Sequence, residues 1–147
     1  MSLVITHAIP VYAPAWQFGG PVLSVSRICE GLAAQGHKVK VITTNAGLPD
    51  FPSEQLGKPI QRLGVEVTYF PVNQPNSTIR SRALNKALPK LLQDSDLLHL
   101  SAIWQPLGIQ IQREAWRMGI PVLHSLRGAL GPYSRKQGWW KKVPYYF

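Results

Sequence analysis

The sequence has one cysteine, few acids and no long apolar run, and each shortage removes a class of protein. Cys29 alone cannot form an internal disulfide, which argues for a reducing compartment and against a disulfide-stapled secreted domain. The four histidines stand apart at positions 7, 37, 99 and 124, so no zinc-ligand spacing exists and no metal is expected. No stretch reaches the roughly 18 consecutive apolar residues of a membrane span. Leu3 to Ala15 is apolar, but no basic segment precedes it and His7, Pro10 and Pro14 interrupt it, so it does not read as a secretory signal. GxGxxG is absent, which removes the dinucleotide fingerprint of an oxidoreductase. No Gly-Lys-Ser/Thr follows a glycine loop, which removes a Walker A site. No acid precedes Glu30, so a receiver domain's aspartate pocket is excluded too.

What is present suits one domain: 147 residues, 45% of them hydrophobic, with thirteen prolines and twelve glycines to punctuate the elements. The charge is uneven. Residues 1–79 carry five Lys/Arg and four Asp/Glu, whereas residues 80–147 carry eleven and three. A basic half calls for an anionic partner: nucleic acid, acidic lipid or a phosphorylated substrate. No nucleic-acid recognition module accompanies the charge, so nucleic acid is not expected.

The apolar pattern alternates between two periods. Short apolar runs at 3–7, 38–44, 65–70, 97–100 and 121–126 read as strands. Pro21 opens a helix whose stripe is Val22, Val25, Ile28, Cys29 and Leu32, and which ends at Gly36. A second helix spans Arg80 to Gln93, where Pro89 should kink or split it. A third begins at Pro106 and ends at Gly119. Residues 45–63 lack periodicity and read as loop. Strands that are continuous apolar runs alternating with helices specify an α/β fold, a Rossmann-like parallel sheet with helices on both faces. Ligands of such sheets bind beyond the carboxyl ends of the strands, which points to the loops at 8–20, 101–106 and 127–135.

The first of these loops is the richest. Gly19 and Gly20 allow close backbone approach and sit at a helix start, where free N–H groups and the helix dipole favour phosphate. Read alone, they are as compatible with a plain tight turn. Arg127 at a strand end offers a planar cation suited to phosphate or carboxylate. His7, His99 and His124 are compatible with hydrogen-bonded scaffold as well as with a pocket, His37 with a helix cap, and Cys29 with the core. From Arg127 onward five Lys/Arg are interleaved with Tyr133, Trp139, Trp140, Tyr145, Tyr146 and Phe147, without an acid. That basic aromatic segment reads either as a surface that packs on another domain or as a membrane-surface attachment.

Several segments, taken in order, resemble the N-terminal domain of family 4 GT-B glycosyltransferases. They are Tyr12-Ala13-Pro14 with Gly19-Gly20, the helix end from Leu32 to Thr43, Asp96 to Trp104, and Gly119 to Leu130. The resemblance spans nearly the whole chain. It implies one half of a GT-B fold, with residues 1–147 as the acceptor-side domain and 131–147 leading toward a missing C-terminal donor-binding domain. It implies a hexosyltransferase that moves sugar from a nucleotide-diphosphate donor to a glycan or lipid-linked hydroxyl, with retention and without a cofactor. Polysaccharide or lipopolysaccharide assembly is the implied setting. By the same resemblance Gly19 and Gly20 approach the donor diphosphate, His99 and Ser101 lie near the sugar, and Tyr12, Gln17, Trp104 and Arg127 line the pocket or the acceptor side. Ser101 stands where the family carries a second histidine, and Ala102 and Leu126 where it carries Gly and Pro. The expected location is cytoplasmic, with attachment to the inner face of the cell membrane, and the chain alone is expected to be inactive. The competing reading is a non-catalytic module docking on membranes or partners.

Overall fold

The structure, a computed structural model, describes residues 1–73, 78–101, 105–126 and 136. The strands are β1 (Val4–Val11), β2 (Lys38–Thr44), β3 (Pro59–Arg62), β4 (Val65–Phe70), β5 (Leu97–Leu100) and β6 (Val122–His124). The helices are α1 (Gly20–Ala34), α2 (Arg82–Leu92) and α3 (Pro106–Arg117). The strands form one sheet in the order β3-β4-β2-β1-β5-β6. All neighbours are parallel except β3, which runs antiparallel to β4 at the edge. This is the Rossmann-like α/β architecture that the alternating pattern specifies.

The core forms because central strands are buried on both faces. Positions 5–11 of β1 and 39–44 of β2 are all buried, so these strands read as continuous rather than alternating sequences. Val22, Val25 and Cys29 of α1 pack on one face. Leu84, Leu88 and Leu92 of α2, with Leu107, Ile111 and Ala115 of α3, form the other layer. Burying a Leu or Ile side chain of this kind stabilises by about 1.5–3 kcal/mol each.

Three expectations are refined. β1 continues past His7 to Val11, because its register shifts between Ala8 and Val11 and the irregularity accommodates Pro10, a residue without a ladder N–H. Residues 59–62, read as loop, form the edge strand β3; Pro59 and the polar Gln61 and Arg62 hide it from an apolar-run reading. Pro89 does not split α2, which runs unbroken from Arg82 to Leu92. Pro89 is exposed, so the carbonyl that loses its partner can meet water, while the three buried leucines hold the helix down.

Helix ends follow local chemistry. Ser81, in extended conformation, accepts a hydrogen bond from the Leu84 N–H and caps α2. At the end of α1, Gly36 adopts φ 90°, and His37 Nδ1 accepts the Leu3 N–H. No described helix is long and apolar enough to cross a membrane.

Candidate functional site

The sheet order reverses at β1. From β1 the chain moves through α1 to β2 and on to β4, then returns through α2 to β5 on the other side of β1, and through α3 to β6. Parallel crossovers are right-handed, so the two directions of travel place α1 and the α2/α3 pair on opposite faces. By the general rule for such sheets, the ligand crevice is expected beyond the carboxyl ends of β1 and β5, where the chain leaves for opposite faces.

The loop after β1 is held from below and from the side. The buried Tyr69 hydroxyl donates to the Ala13 carbonyl. Burial pushes that phenol up to about 12, against a smaller lowering effect of Arg62. The Gln17 amide donates to the Gly47 carbonyl. Gly47, at φ 77°, leaves room for Phe18: a Cβ there would lie 2.2 Å from the Phe18 ring. Trp16 is half exposed, with the Arg62 guanidinium 5.8 Å from its ring centre.

The loop ends in Gly19, whose φ of 75° and ψ of −145° are essentially confined to glycine. Gly19 caps α1 without any side chain, and Pro21 sits in the first turn. A helix start leaves its first N–H groups without intrahelical acceptors, and here no acid occupies that turn. Nothing lies within 4 Å of where a Cβ on Gly20 would stand. Gly20 is therefore not a packing requirement of this domain.

A side-chain cluster lies at the β1/β5 junction. Register pairs His7 with His99 across the two strands, and their rings stand 4.2 Å apart at a tilt of 52°. His7 is fully buried and His99 is nearly so. His7 Nε2 meets the Ser101 hydroxyl at 3.2 Å, and His99 Nε2 meets the Ser125 hydroxyl at 2.6 Å. Backbone bonds set both serines: Ser101 N–H donates to the Ala8 carbonyl and Ser125 N–H to the Leu100 carbonyl. Two imidazoles and two hydroxyls are thus linked near the carboxyl end of β5, with His7 enclosed in the core. The serine hydroxyls, on partly exposed residues, can donate and accept hydrogen bonds toward hydroxyl-rich ligands.

Gly19 and Gly20 follow β1 at the start of α1, and His99 and Ser101 lie at the end of β5, so all four belong to the carboxyl side of the parallel strands. Tyr12 is buried, 1% exposed. Burial raises its phenol far above the ordinary tyrosine range, and the adjacent Cys29 adds to the effect. Gln17 is exposed and serves the loop through Gly47. Trp104, Arg127 and the basic aromatic segment 131–147, Lys136 apart, lie outside the described residues. Ser125, Gly47 and Arg62 were not singled out by sequence. Only the strand register and a loop crossing bring them to the others. Among the described residues, no three His, Cys, Asp or Glu gather where a metal could be held.

These features define a Rossmann-like domain whose crevice lies at the switch point of the sheet. The chain belongs to the glycosyl transferase 4-like domain family, whose model matches residues 19–146. No curated protein sequence matches the chain. Among solved structures it is similar to sucrose-phosphate synthase from Thermosynechococcus elongatus, at 18% identity and a TM-score of 0.45 over 91% of this chain. The chain spans 37% of that protein's length.

Proposed function

We propose that this chain is the acceptor-side half of a GT-B hexosyltransferase that moves a sugar from a nucleotide-diphosphate donor to a hydroxyl of a glycan or lipid-linked acceptor, with retention. The observation that carries the reading is the switch-point crevice of a glycosyl transferase 4-like domain. The start of α1 at Gly19-Gly20, which has no side-chain cap, and the end of β5 with His99 and Ser101 both belong to the carboxyl side of the parallel strands. A helix start without an acid suits a diphosphate, and imidazole and hydroxyl groups suit sugar hydroxyls. No cofactor enters the reading.

In this reading a second, donor-binding domain is needed for turnover, whether it lies on the same polypeptide or another. The setting is glycan assembly in the cytoplasm. By the family resemblance, Arg127, Trp104 and the basic aromatic residues 127–147 serve the acceptor or the inner leaflet. The test is a transfer assay with nucleotide sugars on the 147-residue chain and on the chain joined to a donor-binding half. The anomeric configuration of the product is read by NMR. Retention by the joined protein and silence of the 147 residues alone are expected. Inversion, or turnover by the 147 residues alone, overturns the corresponding part.

A further inference from the structure

The outer surface of the α2/α3 layer is cationic in a way the transfer reaction does not use. Leu84, Leu88 and Leu92 turn one side of α2 into the core, which leaves Arg82, Lys86 and Lys90 exposed on the opposite crest at steps of four. At a rise of 1.5 Å per residue they mark a line about 12 Å long. α2 contains no acid. α3 packs beside it, joined through Asn85 and Gln110, and exposes Arg113 on its own crest. Trp116 stands next to it, 63% exposed. Glu114, the acid of α3, is held by Arg117 at 2.6 Å. Among the described residues, none of Arg82, Lys86, Lys90 and Arg113 is in an ion pair.

We propose that this face, the crests of α2 and α3 together, is an electrostatic docking surface for an anionic lipid leaflet. The charge is complementary to acidic headgroups, which move laterally and can gather under cations spread over two helices. An indole protruding among cations has the chemistry of a membrane-interface anchor. Two helices packed side by side present a convex surface about 20 Å wide, too broad for the roughly 12 Å major groove of a DNA duplex. The surface is separate from residues 127–147 and holds whether or not the chain transfers sugar.

The test is co-sedimentation of the 147-residue chain with vesicles of phosphatidylcholine alone or with added phosphatidylglycerol, at two salt concentrations. A 20-base-pair duplex is run in parallel. Salt-sensitive binding to the anionic vesicles alone is expected. The variant Arg82→Gln/Lys86→Gln/Lys90→Gln keeps every charge of 127–147, so a loss can be assigned to α2. Its affinity should fall on the order of 100-fold, at about fivefold per cation. Should the triple variant fail to fold, Lys86→Gln alone should still weaken binding about fivefold. Trp116→Ala should weaken it further. Wild-type binding by a well-folded triple variant overturns the proposal and leaves the attachment to the basic aromatic residues. Equal binding to neutral vesicles, or tighter binding of the duplex, overturns it as well.

Discussion

His7 and His99 stand opposite each other on two parallel strands, their rings tilted and 4.2 Å apart between centres, and the Nε2 of each meets a different serine. The contact exists because the register places both residues opposite each other at the one point where the sheet reverses direction. The serines differ in what their loss should do. Ser125→Ala takes the partner at 2.6 Å from a nearly buried imidazole and should lower stability by about 1 kcal/mol. Ser101→Ala removes a longer contact from a partly exposed hydroxyl, where water can substitute, and should cost less. Urea denaturation of both variants checks the order. The reverse order would mean that Ser101 carries the scaffold.

The two glycines at the start of α1 should separate cleanly. Gly19→Ala forces a side chain into a glycine-only conformation and should destabilise by about 1–3 kcal/mol. Gly20→Ala meets open space and should leave the melting temperature unchanged or slightly raised. In the complete enzyme, Gly20→Val should nonetheless lower turnover on the order of 100-fold by misplacing the donor. A well-folded Gly20→Val enzyme with full activity would remove the diphosphate role of this loop.

Lys40 ties α2 to the sheet. Its Nζ, on a side chain only 10% exposed, donates to the Leu91 carbonyl at 2.7 Å and to Asp94. Lys40→Met should leave the Leu91 carbonyl without its donor and the Asp94 carboxylate with Lys38 alone, and cost about 1–3 kcal/mol, measured by denaturant unfolding. A neutral outcome would show that water in the adjoining groove, about 310 Å³ lined by Lys38, Thr68, Phe70 and Leu91, replaces the ammonium.

The same pair sets part of the acid limb. Burial raises the Asp94 carboxyl, but hydrogen bonds and charge from Lys40 and Lys38 outweigh it, so the group sits below its ordinary value near 3.8. A depressed folded value stabilises above the unfolded value, and that contribution disappears as pH falls through 3.8 and below. Asp94 is 44% exposed, so the contribution is at most about 1 kcal/mol. Asp94→Asn should flatten the pH dependence of stability in that window and leave its slope at neutral pH unchanged.

Alkali should act in the opposite sense on Tyr69. Its folded value of about 12 exceeds the unfolded value of 10.0, so the neutral phenol stabilises the fold below pH 10. That contribution should disappear between pH 10 and 12. Tyr69→Phe should lose the bond to Ala13, starting less stable, and should then show a shallower alkaline limb. Tyrosinate absorbance recorded together with circular dichroism would follow both. An identical limb in the variant would shift the effect to Tyr12, whose phenol is raised further.

The parallel sheet was readable because buried strands leave continuous apolar runs, and Val39-Lys40-Val41-Ile42 shows the limit of that signal. Lys40 looks like a solvent-facing residue by type, yet it is 8% exposed because its ammonium finds a helix end and a carboxylate. Gly19 and Gly20 were readable as a loop that ends at a helix start, since glycines before Pro21 mark that boundary. Which of the two the backbone requires is a matter of φ, and only coordinates separate them. The serine partners of His7 and His99 could not be read, since the distance from 7 to 101 or from 99 to 125 carries no periodic signal. Tyr12, placed at the pocket by resemblance, is the first residue after a strand and points into the core, a choice between two directions that residue type leaves open.

The place of β1 at the centre of the sheet also fixes an order of events as the chain is made. Of the six strands described, β1 leaves the ribosome first, and β2 can pair with it soon after, through the helix between them. Its other neighbour, β5, begins at Leu97 and pairs there with Ile5, a contact 92 positions long. At about 5–20 residues per second that neighbour arrives some 5–20 s later. Until then one edge of β1 is an unsatisfied ladder, with His7 lacking the strand that will carry His99. The half-sheet of β1, β2 and β4 must therefore wait with its future crevice open. Nascent-chain pulse proteolysis should find protection of residues 4–44 well before residues 97–124 become protected.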